Sequence, residues 1–382
     1  MAAKSISMLL AFCLVLLLTA LPTAAAPGVS DSTIVFGQSA CFSGPSKILG
    51  LRYRAGILSA FQVQNDRGGV NGRLLKLVSF DDAYEPEQAA ANAERFVANN
   101  EVLAVIGGVG TPTAKRIAPV LRTAKIPFVG PFTGATFLRD AKRFPNVINL
   151  RAGYFDETQT LVDHILRERG KSRFGIIYQD DAFGRSVLKN YKTVLDEHGI
   201  PILGKTAFSR NTHAVQATLF ALAKADLDAI LIVGTYTTNA EIINLANSLG
   251  HEYIMGNLSF VLSRELRERI SAPNDRILVT EVVPNPQDQT SKVVQQFHRA
   301  ARSPQSKIDH KHIINEVCLE GYILGRFVIT VLERMGDELT RENFMQQALS
   351  SGPIAIDDWP LEFEPGTNTG STYIRLTDFG GE

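Results

Sequence analysis

From residue 34 onward the chain alternates short apolar runs with longer stretches of helical periodicity, separated by brief breaks of Gly, Pro, Asn or Asp. Runs such as Val102-Leu103-Ala104-Val105-Ile106 have no polar face, so they suit strands buried on both sides. Such strands pair in parallel and need helical crossovers between them. Strands are expected over 34–37, 74–80, 102–106, 128–129 and 147–150, with helices over 49–65, 87–99 and 114–123. A second series follows, with strands over 174–178, 202–208, 229–233, 253–255 and 277–279 and helices over 157–168, 184–197, 214–225, 239–248 and 263–270. The expected class is α/β: two Rossmann-like lobes, each a parallel sheet flanked by helices. Beyond residue 279 come an extended run with Pro284, Pro286 and Gln287, helices over 292–302 and 315–335, and a tail of short strands and turns. With no low-complexity linker between the series, a close hinge with several crossings is expected.

The N-terminus carries Lys4, an apolar stretch from Ile6 to Leu21, and the small residues Thr23-Ala24-Ala25-Ala26. This is the pattern of a secretory signal peptide over residues 1–25, cleaved after Ala25. Its apolar run is short for a retained span of about 20 residues. Cys13 lies mid-run behind Phe12, which argues against lipidation. After cleavage roughly 355 residues remain, more than one core commonly holds, so two domains are expected. No later run is long and apolar enough to hold the mature chain in a membrane. The 39 basic and 39 acidic residues balance, which gives no electrostatic ground for a nucleic acid partner. Cys41 and Cys318 survive cleavage, and their pairing stays open because sequence does not give their separation.

Two loops about twenty residues apart look like a binding surface: Gly107-Gly108-Val109-Gly110-Thr111-Pro112-Thr113 and Gly130-Pro131-Phe132-Thr133-Gly134-Ala135. Each follows an apolar strand and leads into a helix. Glycines allow close backbone approach, threonines supply hydroxyls, and helix N-termini offer free amides with partial positive charge. An anion suits such a place. For either loop alone, N-caps and turn formers are the simpler account; two together at strand ends favour a site.

Four stretches together resemble the type 1 periplasmic binding proteins, specifically the leucine/isoleucine/valine-binding family that delivers solutes to ABC importers. They are Phe36-Gly37-Gln38-Ser39-Ala40-Cys41-Phe42-Ser43-Gly44-Pro45; Asn65-Asp66-Arg67-Gly68-Gly69-Val70-Asn71-Gly72-Arg73 with the following Phe80-Asp81-Asp82-Ala83-Tyr84-Glu85-Pro86; the two loops; and Tyr178-Gln179-Asp180-Asp181-Ala182-Phe183-Gly184. The resemblance implies two lobes closing on a ligand, joined by three crossings near Arg151, Thr280 and Gly352. Lobe 1 would then be 26–151 plus 280–352, and lobe 2 would be 152–279 plus 353–382. It implies a monomer in the periplasm or secreted, with a small carboxylate-bearing ligand, a membrane permease as partner, and no cofactor. Ligand contacts carried over by position are Gly110, Thr111, Thr113, Phe132, Thr133 and Gly134 from the loops, with Phe42 and Leu49 as apolar wall. The second lobe would add Tyr154, Phe183 and Tyr236. Asp81, Asp82 and Glu85 invite a metal, but they sit between a strand end and a helix opened by Pro86, where a structural role fits better.

The chain departs from the family near Asn257-Leu258-Ser259-Phe260, where relatives that bind α-amino acids tend to place a glutamate for the ligand ammonium. An unpaired ammonium in a closed cleft is costly. The ligand is therefore expected to be a carboxylate not required to carry an ammonium, unless Asp156 or Glu281 substitutes. No catalytic constellation is evident: the seven histidines are scattered, including His310-Lys311-His312 in a polar stretch, and the first loop lacks dinucleotide-loop spacing. A ligand-sensing receptor-type domain without a transport role is the alternative to a carrier.

Overall fold

The computed structural model describes residues 26–302, 313–350 and 352–380. The expected leader and His310-Lys311-His312 lie outside them. The first series builds β1 (Thr33–Ala40), α1 (Lys47–Asp66), β2 (Leu74–Asp81), α2 (Pro86–Asn99), β3 (Ala104–Ile106), α3 (Thr111–Thr123), β4 (Phe128–Val129) and β5 (Val147–Ile148). These strands form one sheet in the order β2-β1-β3-β4-β5, with every pairing parallel. The second series builds α4 (Tyr154–Arg167), β6 (Phe174–Gln179), α5 (Ala182–Glu197), β7 (Ile202–Phe208), α6 (Gln216–Leu222), β8 (Ala229–Val233), α7 (Tyr236–Ser248), β9 (Ile254–Asn257), α8 (Ser263–Arg269) and β10 (Ile277–Glu281).

The interior strands β3 and β8 are uniformly apolar because both faces are covered, and every residue of each is buried. The edge strand β2 alternates, exposing Leu74, Lys76 and Val78. Capping follows local chemistry. Pro86 opens α2, the Asp181 carboxylate accepts the amides of Phe183 and Gly184 at the start of α5, and Asn315 accepts the amide of Cys318.

The remaining helices are α9 (Lys292–Ala301), α10 (Glu316–Met335) and α11 (Arg341–Leu349), followed by strands β11 (Ile354–Ile356), β12 (Trp359–Leu361) and β13 (Arg375–Asp378). Helix α10 lies along α1 in the first lobe, and two glycines allow the close approach. A Cβ on Gly56 would stand 2.0 Å from the Cys318 carbonyl oxygen, and one on Gly321 would stand 2.2 Å from that of Tyr53. Helix α11 was not expected from the sequence. The helix expected over 214–225 is confined to Gln216–Leu222.

The chain passes between the sheets over 149–153, over 282–291 and again between β12 and β13. The second passage begins just beyond Thr280, which is still inside β10 of the second sheet. The third differs from the crossing expected near Gly352. The β11–β12 hairpin packs on α10 in the first lobe, and the chain joins the second sheet only at β13, antiparallel to β10. Residues 353–361 thus belong with the first lobe, where the apolar side chains of Ile354, Ile356 and Leu361 are buried. The first and third passages run side by side, with the Asn149 amide donating to the Asn368 carbonyl at 2.7 Å. Cys41 and Cys318 are separate, buried thiols; burial raises both, Cys318 to about 12.

Candidate ligand cleft

In a parallel sheet the crevice opens beyond the C-terminal ends of the strands, where strand order reverses. In the first sheet that point lies between β1 and β3; in the second it lies between β6 and β8. The loops there carry Thr111 after β3, Phe183 after β6 and Tyr236 after β8. Thr133 follows the neighbouring β4. Topology therefore brings together residues more than a hundred positions apart.

The floor of the cleft is buried. Thr111 and Thr133 face each other with their hydroxyl oxygens 2.7 Å apart, and Thr133 also accepts the Ala135 amide at 3.2 Å. Thr111 opens α3, so the unpaired first amides and positive end of that helix lie beside the pair. Gly110, its cap, holds φ +96, and a Cβ there would stand 2.2 Å from the Tyr84 ring. Gly134 likewise leaves room for Tyr154, whose amide donates to the Gly134 carbonyl at 2.8 Å. The Tyr154 hydroxyl is buried and has no hydrogen-bond partner among the described residues, and burial raises its pKa to about 12.

Aromatic rings from both lobes fill the space over this floor. The Phe183 ring centroid stands 5.2 Å from that of Tyr154 and 4.9 Å from that of Phe260, and Phe260 reaches Phe132 at 5.6 Å and Tyr84 at 6.0 Å. Edge and offset contacts at such spacing are favourable ring geometries.

The rim is polar and crosses between the lobes. The Tyr236 hydroxyl donates to the Pro45 carbonyl at 2.7 Å and accepts the Ile48 amide at 3.3 Å. Arg210 holds Glu85 at 2.6 Å and Asp181 at 3.2 Å, and Asn211 donates to Glu85 at 2.8 Å. Arg52 of α1 meets Glu265 of α8 at 3.3 Å. The lobes are closed.

A family model described as "Periplasmic binding protein" matches residues 33–375. The chain belongs to the type 1 periplasmic binding proteins. A "possible leucine/isoleucine/valine-binding protein" from Rhodopirellula baltica superposes with TM-score 0.84 at 29% identity, over 94% of this chain and 96% of that one. A branched chain amino acid ABC transporter structure from Thermus thermophilus shares the fold with TM-score 0.82 at 16% identity, over 92% and 94%. A curated relative, "Leu/Ile/Val-binding protein homolog 7" of Brucella abortus, is 26% identical over 241 residues. That match covers 61% of this chain and 59% of the relative, less than two thirds of its length. The family is one of binding proteins rather than enzymes.

Not every expected contact of this binding protein points into the cleft. The Thr113 hydroxyl turns back on its own helix, to the Val109 carbonyl and to that of Gly110 at 2.9 Å, so its one proton is committed. Phe42 is half-buried under the Arg54 guanidinium, 4.0 Å from its ring centroid, and among the described residues no ring contact joins it to the aromatic group. Leu49 is fully buried next to Ile48, the partner of Tyr236. Tyr84, Phe260 and Gln179 were not foreseen as site residues. Tyr84 and its neighbour Ala83 both hold positive φ, 63 and 49, which aims the Tyr84 ring at Gly110 and its hydroxyl at Gln179, 3.4 Å away. The Asp81 carboxylate accepts the amides of Phe42, Ser43 and Ala83, and Asp82 accepts the Ser39 hydroxyl and the Tyr84 amide. These acids set the loop that carries Tyr84. Burial raises the Asp82 pKa to about 7.

Two cavities of about 560 and 820 Å³ lie elsewhere, one under residues 26–30 beside β1 and β2, the other between α8, β13 and the start of α10. None of the expected contact residues lines either. Thr111, Phe132, Thr133, Tyr154, Phe183 and Tyr236 are all buried with the lobes together, so a ligand must enter while the lobes are apart.

Proposed function

We propose that this binding protein captures a small carboxylate-bearing ligand between its lobes in the periplasm and delivers it to an ABC importer. The observation that carries the reading is the buried Thr111–Thr133 hydroxyl pair at the N-terminal end of α3. Two hydroxyls, free helix amides and a positive dipole end suit a carboxylate, and each charge-assisted hydrogen bond contributes about 1.5–3 kcal/mol. The branched-chain amino acids in the name of the Brucella relative support a ligand of that size.

Within that class a carboxylate without an α-ammonium fits best. The rings of Tyr84, Phe132, Phe183 and Phe260 form the wall over the hydroxyls, and the two acids that would substitute for the missing glutamate are engaged elsewhere. Asp156 accepts the Gly153 amide at 3.2 Å and Glu281 pairs with Arg375, while Asn257, a neutral amide, accepts from Asn239 within the second lobe. Aromatic and short organic acids satisfy the hydroxyls without asking for an anion. A thermal-shift screen over amino acids, aromatic acids, dicarboxylates and amides tests both levels, because a ligand of the closed state raises Tm. Stabilisation by carboxylates that is lost in Thr111→Val is the expected result. Binding unaffected by that substitution overturns the carboxylate site; tight binding of leucine with no binding of benzoate overturns only the finer assignment.

A further inference from the structure

A cation shared by two buried carboxylates stands where the lobes join. Arg151, on the first passage between the sheets, is 1% exposed. Its Nη2 lies 3.8 Å from Glu157 of α4 in the second lobe, and its Nε lies 3.7 Å from Glu320 of α10 in the first. The two carboxylates are not equally held. Glu157 accepts the Ser259 amide at 2.9 Å, the Ser259 hydroxyl at 3.0 Å and the Thr280 hydroxyl at 2.6 Å. Glu320, itself buried, accepts no hydrogen bond among the described residues. Arg151 Nε and Nη1 make none either, and Nη2 donates to the Ser259 hydroxyl.

With both acids ionised the trio carries a net negative charge in a largely desolvated setting, where Glu320, 7% exposed, meets the protein only through a loose ion contact. Such an arrangement is expensive, and a proton on Glu320 neutralises it. The other titratable groups facing the trio do not supply a second cation in contact with Glu320. Tyr53 of α1 gives its proton to the Gly130 carbonyl, Tyr154 stands beside Arg151, and Arg139 donates to the Arg151 carbonyl. Asp156, which also faces Arg139, accepts the Gly153 amide.

We propose that the Glu320–Arg151–Glu157 cluster is a proton-sensitive hinge lock, in which protonation of Glu320 favours the closed arrangement of the lobes. The cluster spans both lobes, with Arg151 also packed on Phe132 of the first, so rotation about the hinge pulls the first-lobe and second-lobe sides of the cluster apart and changes the access of water to Glu320. Burial raises the Glu320 carboxyl to about 7 in the closed form, and hydration on opening returns it toward the ordinary carboxylate range. The closed form therefore binds the extra proton. Closure is strongest below the open-state pKa and weakens as pH rises from there to about 7, by up to roughly tenfold per pH unit in the closed-to-open ratio.

The inference rests on lobe closure but on no particular ligand, so it is tested by X-ray scattering of the ligand-free protein at pH 5.5 and 8.0. The radius of gyration should be smaller at pH 5.5. Glu320→Gln should be compact at both values, and Glu320→Met provides a second neutral side chain should the first variant not fold. No change with pH in the parent, or a change that persists in Glu320→Gln, overturns the proposal. Failure of the ligand screen would leave this result standing, and failure here would leave the carboxylate site untouched.

Discussion

The floor and the rim of the cleft are built from different chemistry. The floor and the wall over it consist of two threonine hydroxyls and a group of aromatic rings, all buried, with Phe260 of the second lobe packed on Phe132 and Tyr84 of the first. The rim consists of Tyr236, Arg210, Asn211, Glu85, Arg52 and Glu265, which touch only because the lobes have met. Floor groups can select a ligand because water is excluded and an unmatched polar atom there is costly. Rim groups are hydrated whenever the lobes part, so each contributes little and all act on the same equilibrium. Ligand choice and lobe closure are thus open to separate perturbation.

The largest effect is expected where the floor depends on backbone shape. Gly110→Ala places a methyl group against the Tyr84 ring at a φ that favours glycine. Strain and overpacking together should cost about 3 kcal/mol, read as a lower midpoint in urea unfolding. A loss below ~1 kcal/mol would mean that Tyr84 moves aside without difficulty. Next comes Thr111→Val, which keeps shape and removes a donor. Carboxylate affinity by calorimetry should fall about 10- to 100-fold, corresponding to one charge-assisted bond, while stability changes by roughly the ~1 kcal/mol of the lost hydroxyl pair. If affinity and stability fell by similar amounts, the hydroxyl would be structural and the floor no selector.

The same division governs what was legible in the sequence. The alternation of strands and helices could be read because buried parallel strands leave uniformly apolar runs, and the two loops could be read because crevices form at strand ends. Helix α11 escaped because only Asn343, Phe344 and Ala348 are buried, leaving little apolar periodicity, although Thr340 caps the Asn343 amide. The third passage between the lobes was misplaced because Gly352 and Pro353 look like a break, whereas the switch of sheets depends on which strand pairs with β10. Thr111 and Thr133 announced themselves by loop context. Tyr84 and Phe260 did not, since one depends on two successive left-handed residues and the other on a short turn that enters a cleft formed by both lobes. Arg151 looked like a hinge position, and nothing local indicated that acids from opposite lobes would meet it.

The rim yields smaller effects. Tyr236→Phe removes two neutral hydrogen bonds that exist only in the closed form, without changing the floor. Affinity should fall about 3- to 10-fold, from about 0.5–1.5 kcal/mol, with the order of preference among ligands unchanged. A change in that order would place Tyr236 in contact with the ligand and move it from rim to floor. The smallest effect concerns salt. The side chains of Arg210 and Glu85 are 19% and 40% exposed, so their attraction is partly screened even at low ionic strength. Raising salt from about 0.05 to 0.5 M shortens the Debye length from more than ~10 Å to about 4 Å and should weaken ligand binding less than about fivefold. Glu85→Gln should start with slightly weaker binding and respond less to salt, because the screened pair is already gone. A carboxylate held by hydroxyls and amides in a buried floor has no exposed cation for salt to compete with. Loss of most of the affinity in high salt, equal in parent and variant, would therefore locate the electrostatic attraction in the ligand site and not in the rim.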